Sequence, residues 1–203
     1  MLPPHFSLMV GLLELISLIT LSALALLSLR AWRYGARHLA WAALGFAVLA
    51  LGAALGSYIT LSAGLHHRVG LGSPWLRAPT GTQALVWTLH GMAFPLGYSL
   101  LMLSHKGVEA KLAAVPVFVA ERLRMAFDAL AVIPLGLLLV YTSRDEPRSS
   151  TLTLFGYSIL LAAHTVLLLS GILGRPALFL AGEALKAAGF LPLLAILLRS
   201  WWG

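Results

Sequence analysis

The chain has 203 residues, 60% of them hydrophobic and only 10% charged. Water-soluble domains carry roughly 25% charged residues, so this composition excludes one, and with it any soluble catalytic module. The formal net charge of +7 is spread over the ends of apolar runs, where Lys and Arg act as topology signals, and it implies no nucleic-acid partner.

The opening MLPPHFS carries no Lys or Arg, and the apolar run after it exceeds a signal h-region. The run therefore reads as a retained transmembrane helix. Six such runs, each near the twenty residues that cross a bilayer, are predicted at 7–29, 38–64, 83–105, 124–142, 151–173 and 176–198. The fold class is thus all-α, a polytopic transmembrane helix bundle of six spans forming one integral membrane domain over 1–203. Arg30, Arg33 and Arg37 stop the first span, and Pro176 opens the sixth at a favoured first helical position. The Gly- and Pro-rich stretch 65–82 reads as an outer loop. One stretch, 112–120, is apolar but too short to span and is interrupted by Pro116. With Glu121, Arg122 and Arg124 just after it, it reads as an interfacial segment or an N-terminal extension of the fourth helix. Treating 108–124 as a separate segment gives seven spans.

With six spans and an outer N-terminus, eight Lys and Arg fall on the inner side and five on the outer. The positive-inside rule then places both termini outside a cell membrane. Trp75, Trp87, Trp201 and Trp202 fall where interfacial aromatic anchors belong.

A short pattern recurs. Residues 97–105 read GYSLLMLSH and residues 156–164 read GYSILLAAH, each with His eight residues after Gly. That spacing puts Gly and His on one helix face. A weaker Gly-Phe echo stands at Gly45-Phe46 and Gly189-Phe190. Duplication and a shared helix-packing preference both account for these matches. Gly45, Gly52 and Gly56 share a face of the second span, and Gly52-x-x-x-Gly56 is a small-xxx-small motif. Such a face suits close packing inside the chain or against another membrane subunit.

Ionisable groups within a bilayer are costly and so mark candidate sites. They are Glu14, His90, Asp128, His164, Glu183 and Lys186, with His105 at the end of the third span. No residue is assigned a catalytic role, and no Walker, Gly-x-Ser-x-Gly, His-Glu-x-x-His or EF-hand motif is present. The absence of cysteine rules out disulfides, thiolate metal sites and covalent c-type haem. His164, about 18 Å deep by helix rise, suits either a hydrogen bond between helices or axial ligation of a b-type haem. A second ligand is required for haem; His90 is the best-placed partner, and His105 is suggested by the repeat. His90, Phe94, Gly97, Leu101 and His105 form one stripe that suits a planar cofactor or an ordinary buried face. The pair His66-His67, followed by Arg68, is a weak metal signal.

Glu183 and Lys186 are spaced to pair on one helix face. Asp128 is spaced to pair with Arg124, and Glu14 to bond Ser17 or a group on another helix. The closing LKAAGFLPLLAILLRS resembles the last helix of microbial rhodopsins over about sixteen residues. That resemblance would make Lys186 a retinal-binding lysine. It departs from the family in having six spans and an acidic residue three, not four, positions before the lysine.

Three functions follow as expectations. The first is a small membrane subunit binding haem b for electron transfer. The second is a structural, assembly or sensory subunit. The third is a proton- or ion-coupled transporter using Glu14, Asp128, His164 and Glu183 as a relay, for which Pro95, Pro134 and Pro192 are candidate helix breaks.

Overall fold

The structure is a computed structural model, and it describes residues 4–68, 81–105, 123–144 and 151–202. The described residues form six helices: α1 (Pro4–Arg33), α2 (Leu39–Arg68), α3 (Gly81–Leu103), α4 (Leu123–Arg144), α5 (Thr151–Leu173) and α6 (Pro176–Trp202). Each is long and apolar enough to cross a membrane. The chain is an all-α bundle of the multi-pass membrane kind, as composition requires. Its outward faces are apolar, with Leu12, Ile19, Leu26, Leu51, Phe155 and Ile172 exposed where lipid would lie. Polar side chains such as Glu14, His164, Glu183 and Lys186 are turned inward. The stretch 106–122, which holds the short apolar segment, and most of the 65–82 loop lie outside the described residues.

Turn chemistry is local. Gly35 (φ 103°) carries the chain from α1 to α2, and Gly174 (φ 62°) ends α5 two residues before Pro176. Both occupy the left-handed region that only glycine enters freely. The internal prolines Pro95, Pro134 and Pro192 do not break their helices, which continue through all three positions. Pro95 still removes one donor, that for the Gly91 carbonyl one turn earlier.

Successive helices pack against one another, and α6 closes the ring against α1. The side chains give the directions. Glu14 meets Lys186, while Val10 and Phe6 gather with Phe179 and Leu180. Moving up α1 therefore means moving up α6, and the two run parallel. His164 meets Tyr98, whereas Tyr157, seven residues earlier, meets His105 seven residues after Tyr98. Helices α3 and α5 are thus antiparallel. Because α4 is antiparallel to α5 across a short connection, α4 runs parallel to α3. The Phe127 ring against Gly91 agrees, with Leu135 and Leu138 in the same cluster as Leu101 and Met102. The expectation that both termini share one face is corrected: α1 and α6 start at the same end, so Pro4 and Trp202 lie at opposite ends of the bundle.

The result is two three-helix units, α1–α3 and α4–α6, related by an approximate twofold axis along the helices, a recurrent plan in membrane proteins. Their centres match in detail. A Cβ on Gly45 would lie 2.9 Å from the Gly97 carbonyl, and one on Gly156 would lie 3.1 Å from the Gly189 carbonyl. Each glycine is followed four residues later by a leucine (Leu49, Leu101, Leu160, Leu193) that covers the glycine opposite. This Gly-x-x-x-Leu crossing explains the sequence echo. The echo pairs α3 with α5 by resemblance, whereas the packing makes α3 equivalent to α6 and α2 to α5.

The Gly52–Gly56 face is spent inside the chain. A Cβ at Gly52 would meet Ala93, and one at Gly56 would meet His90 and Glu14. It is covered by α3 and α1 and presents no surface for another subunit.

Candidate functional site: a buried polar cluster at the twofold axis

The site begins on α6. Glu183 and Lys186, three residues apart, share a face and form an ion pair. Lys186 Nζ also donates to Glu14 Oε1 of α1 at 3.0 Å. All three side chains are at most 3% exposed. Glu14 and Lys186 each stand ten residues into helices that start on the same face. That is about 15 Å by helix rise, near the middle of a ~30 Å hydrocarbon slab. Of the two partners open to Glu14, Ser17 and a group on another helix, it takes the second, Lys186, because an ammonium compensates a buried carboxylate far better than a hydroxyl does. Its second oxygen, Oε2, and the Ser17 hydroxyl have no hydrogen-bond partner among the described residues.

Helix α3 supplies the adjoining wall. His90 Nδ1 lies 2.8 Å from the Gly52 carbonyl; since a carbonyl only accepts, Nδ1 carries the proton. The His90 ring and the Glu14 carboxyl both lie against Gly56, where a Cβ would stand 2.7 and 2.9 Å from them. One turn on, Phe94 is buried with Lys186 Nζ 4.5 Å from its ring centroid, within cation–π range. Phe94 and Lys186 each stand three residues before the crossing glycine of their unit. They occupy equivalent positions and meet where the units meet, on the axis.

A second chain of hydrogen bonds lies beyond Phe94. His164 Nδ1 is 2.9 Å from Asp128 Oδ1, and His164 Nε2 is 3.1 Å from the Tyr98 hydroxyl. Asp128 therefore pairs with His164, on the facing helix; the Arg124 side chain, its partner expected from spacing, lies outside the described residues. The Phe94 ring contacts His164 at 5.6 Å and His90 at 5.4 Å between centroids.

Of the residues singled out from sequence, Glu14, His90, Asp128, His164, Glu183 and Lys186 converge on this cluster. His105 does not. It lies seven residues past Tyr98, about 10 Å along α3, against the Tyr157 ring. His66 and His67 sit at the end of α2, and their side chains lie outside the described residues, as do those of Trp75, Trp201 and Trp202. Trp87 stands edge-on to His90. Sequence reasoning missed Tyr98. The available signal was a phenol in the middle of a span, since a buried Tyr hydroxyl needs a partner.

The haem expectation requires two imidazole nitrogens facing each other across a planar macrocycle. Both ring nitrogens of His164 are engaged, and the Phe94 ring touches both His164 and His90. The residues as arranged do not fit that group. Among the described residues there is also no group of three or more His, Cys, Asp or Glu disposed to hold a metal ion.

The architecture defines the class of protein, a helical membrane bundle of two like units with ionisable groups at their interface. No protein-family model, curated protein or solved structure matches this chain.

Proposed function

We propose that the protein is a proton- or monovalent-cation-coupled membrane transporter, with Glu14, Lys186 and Glu183 as its coupling site. One observation carries this reading: two carboxylates from different units share a single ammonium at mid-depth on the axis. With all three ionised, one negative charge is left over. A low-dielectric interior does not tolerate an uncompensated carboxylate, so the site holds either a proton or a monovalent cation. Glu14 Oε2, without a hydrogen-bond partner among the described residues, is where it would sit. Coupling-ion sites of repeat-built transporters lie in this position, at the midplane between units, and an intramembrane carboxylate is a costly feature to keep for packing alone.

Purified protein in liposomes, on a solid-supported membrane, tests this. Jumps in pH, Na⁺ or K⁺ are applied and the transient current recorded. A current is expected for at least one of the three ions, falling at least tenfold in Glu14→Gln and Glu183→Gln. Currents equal to those of protein-free liposomes for all three ions would overturn the reading.

We also place the N-terminus outside the cell membrane and the C-terminus inside. With α3 and α4 parallel, the basic residues at the ends of the described helices put Arg30, Arg33, Arg37, Arg144 and Arg199 on the inner side against Arg68, Arg124 and Arg175 on the outer. Epitope tags at the two ends should be cut by external protease at the N-terminus only; cleavage of both or neither contradicts the placement.

A further inference from the structure

We propose that Asp128, His164 and Tyr98 form a second proton-holding site, and that Phe94 is the partition that keeps its proton from the Glu14–Lys186–Glu183 triad. This deepens the transport reading and rests on it.

The chemistry of the second site follows from its donors and acceptors. An ionised carboxylate only accepts, so His164 Nδ1 carries the hydrogen that faces Asp128 Oδ1. In the neutral ring Nε2 is then an acceptor, and the Tyr98 hydroxyl donates to it. When the imidazole takes up a proton, Nε2–H becomes the donor, Tyr98 Oη the acceptor, and the phenolic hydrogen must turn elsewhere. The resulting imidazolium is compensated by Asp128. Within this arrangement His164 holds a proton without exposing a bare charge. The ionisable groups facing it are Asp128 from α4 and Tyr98 from α3. On the α6 side, Glu183 and Lys186 belong to the triad, with Phe94 in contact with both Lys186 and His164.

Access differs between the two sites. Asp128 has a side chain 14% exposed, whereas the triad carboxylates are 2% and 3% exposed. The second site is the more open of the two, and a proton passing from it to the triad meets an aromatic ring that can neither donate nor accept. The partition is also placed where α3 can yield. Pro95 follows it directly, and the Gly91 carbonyl has lost its helical donor. The twofold relation sharpens the role: the position equivalent to Phe94 in the other unit is Lys186. One member of an axial pair is thus a proton-bearing group and the other a barrier, which makes the passage unequal between the units. Coupling requires this, because two sites joined by a continuous hydrogen-bonded path would let protons run down their gradient without cargo.

The test is passive proton leak into liposomes containing a pH-sensitive dye, driven by a K⁺–valinomycin diffusion potential. Native protein and Phe94→Leu, which keeps the apolar bulk, should leak no more than empty liposomes. Phe94→Ala and Phe94→Gln should each raise the leak at least tenfold, and adding His164→Gln or Asp128→Asn should remove it. Two substitutions of different size guard against one failing to fold, and a monodisperse elution profile is required of each. A tight Phe94→Ala and Phe94→Gln, with native currents intact, would overturn the partition but leave the transport reading standing. A leak that survives His164→Gln and Asp128→Asn would show a packing hole and overturn the second site. Native protein without current on any ion jump would instead remove the transport reading itself.

Discussion

Replacing Lys186 with methionine is expected to deprive the protein of its fold in detergent. Lys186 is the ammonium that Glu14 and Glu183 share, and the three side chains are almost completely buried. Removing it leaves two facing carboxylates with no cation between them. Breaking a buried ion pair from one side costs about 3–5 kcal/mol, set against a total stability of roughly 5–15 kcal/mol. Fluorescence-detected size exclusion after mild heating should show Lys186→Met aggregating well below the native melting temperature. The triple variant Glu14→Gln, Lys186→Met, Glu183→Gln should recover most of that stability, because it removes all the charges together. It should carry no ion-driven current. Lys186→Met as stable as the native protein would mean that the carboxylates are compensated in some other way, and the charge argument for the site would fall.

The second large effect belongs to the crossings. At Gly45 an added Cβ would stand 2.9 Å from the Gly97 carbonyl oxygen and 3.0 Å from the Leu101 nitrogen. These are backbone atoms that cannot rotate away, so α2 and α3 must separate. Overpacking of this kind costs about 1–3 kcal/mol, and Gly45→Val should lower the melting temperature by several degrees. Gly189→Val, at the equivalent crossing, should do the same, since a Cβ there meets Leu160 at 2.8 Å. Gly136 is the control. A Cβ at that position meets nothing within 4 Å, and a helical glycine costs roughly 0.5–1 kcal/mol relative to alanine, so Gly136→Ala should be neutral or stabilising. If Gly45→Val melts with Gly136→Ala, the crossings are not the close contacts they are drawn to be.

How much was legible beforehand depended on whether a property is local. Span existence follows from apolar run length, and the six helices fall where the runs do, with α1, α2, α4 and α6 extended by a few residues at one or both ends. The Glu183–Lys186 pair follows from spacing within one helix and is present. A bond between helices was legible for His164, but which residue on another helix answers each group was not. Asp128 meets His164 and Glu14 meets Lys186, because a membrane interior rewards full charge compensation and the compensating group stands on another helix. Periodicity carries no information on which helices adjoin. Direction was lost for a related reason: counting apolar runs assumes that each connection reverses the chain, and the step from α3 to α4 does not. The repeat was visible as Gly-Tyr and Gly-Phe, yet its register was not. The same Gly-x-x-x-Leu device serves both partners of a crossing, so each helix resembles its neighbour as much as its counterpart.

The Glu14–Lys186 bond joins residues 172 positions apart, and this has a consequence for biosynthesis. A ribosome delivers α1 to the membrane long before α6 exists. Until α6 has been made, α1 carries a carboxylate with no counter-ion, at a cost of about 2.5–3.5 kcal/mol for an acid at mid-membrane. Only insertion of α6 relieves it. A product in which α6 is missing, or fails to insert, keeps a polar flaw in α1 for cellular quality control to find. The same contact that closes the ring therefore reports that both of its ends are in the membrane.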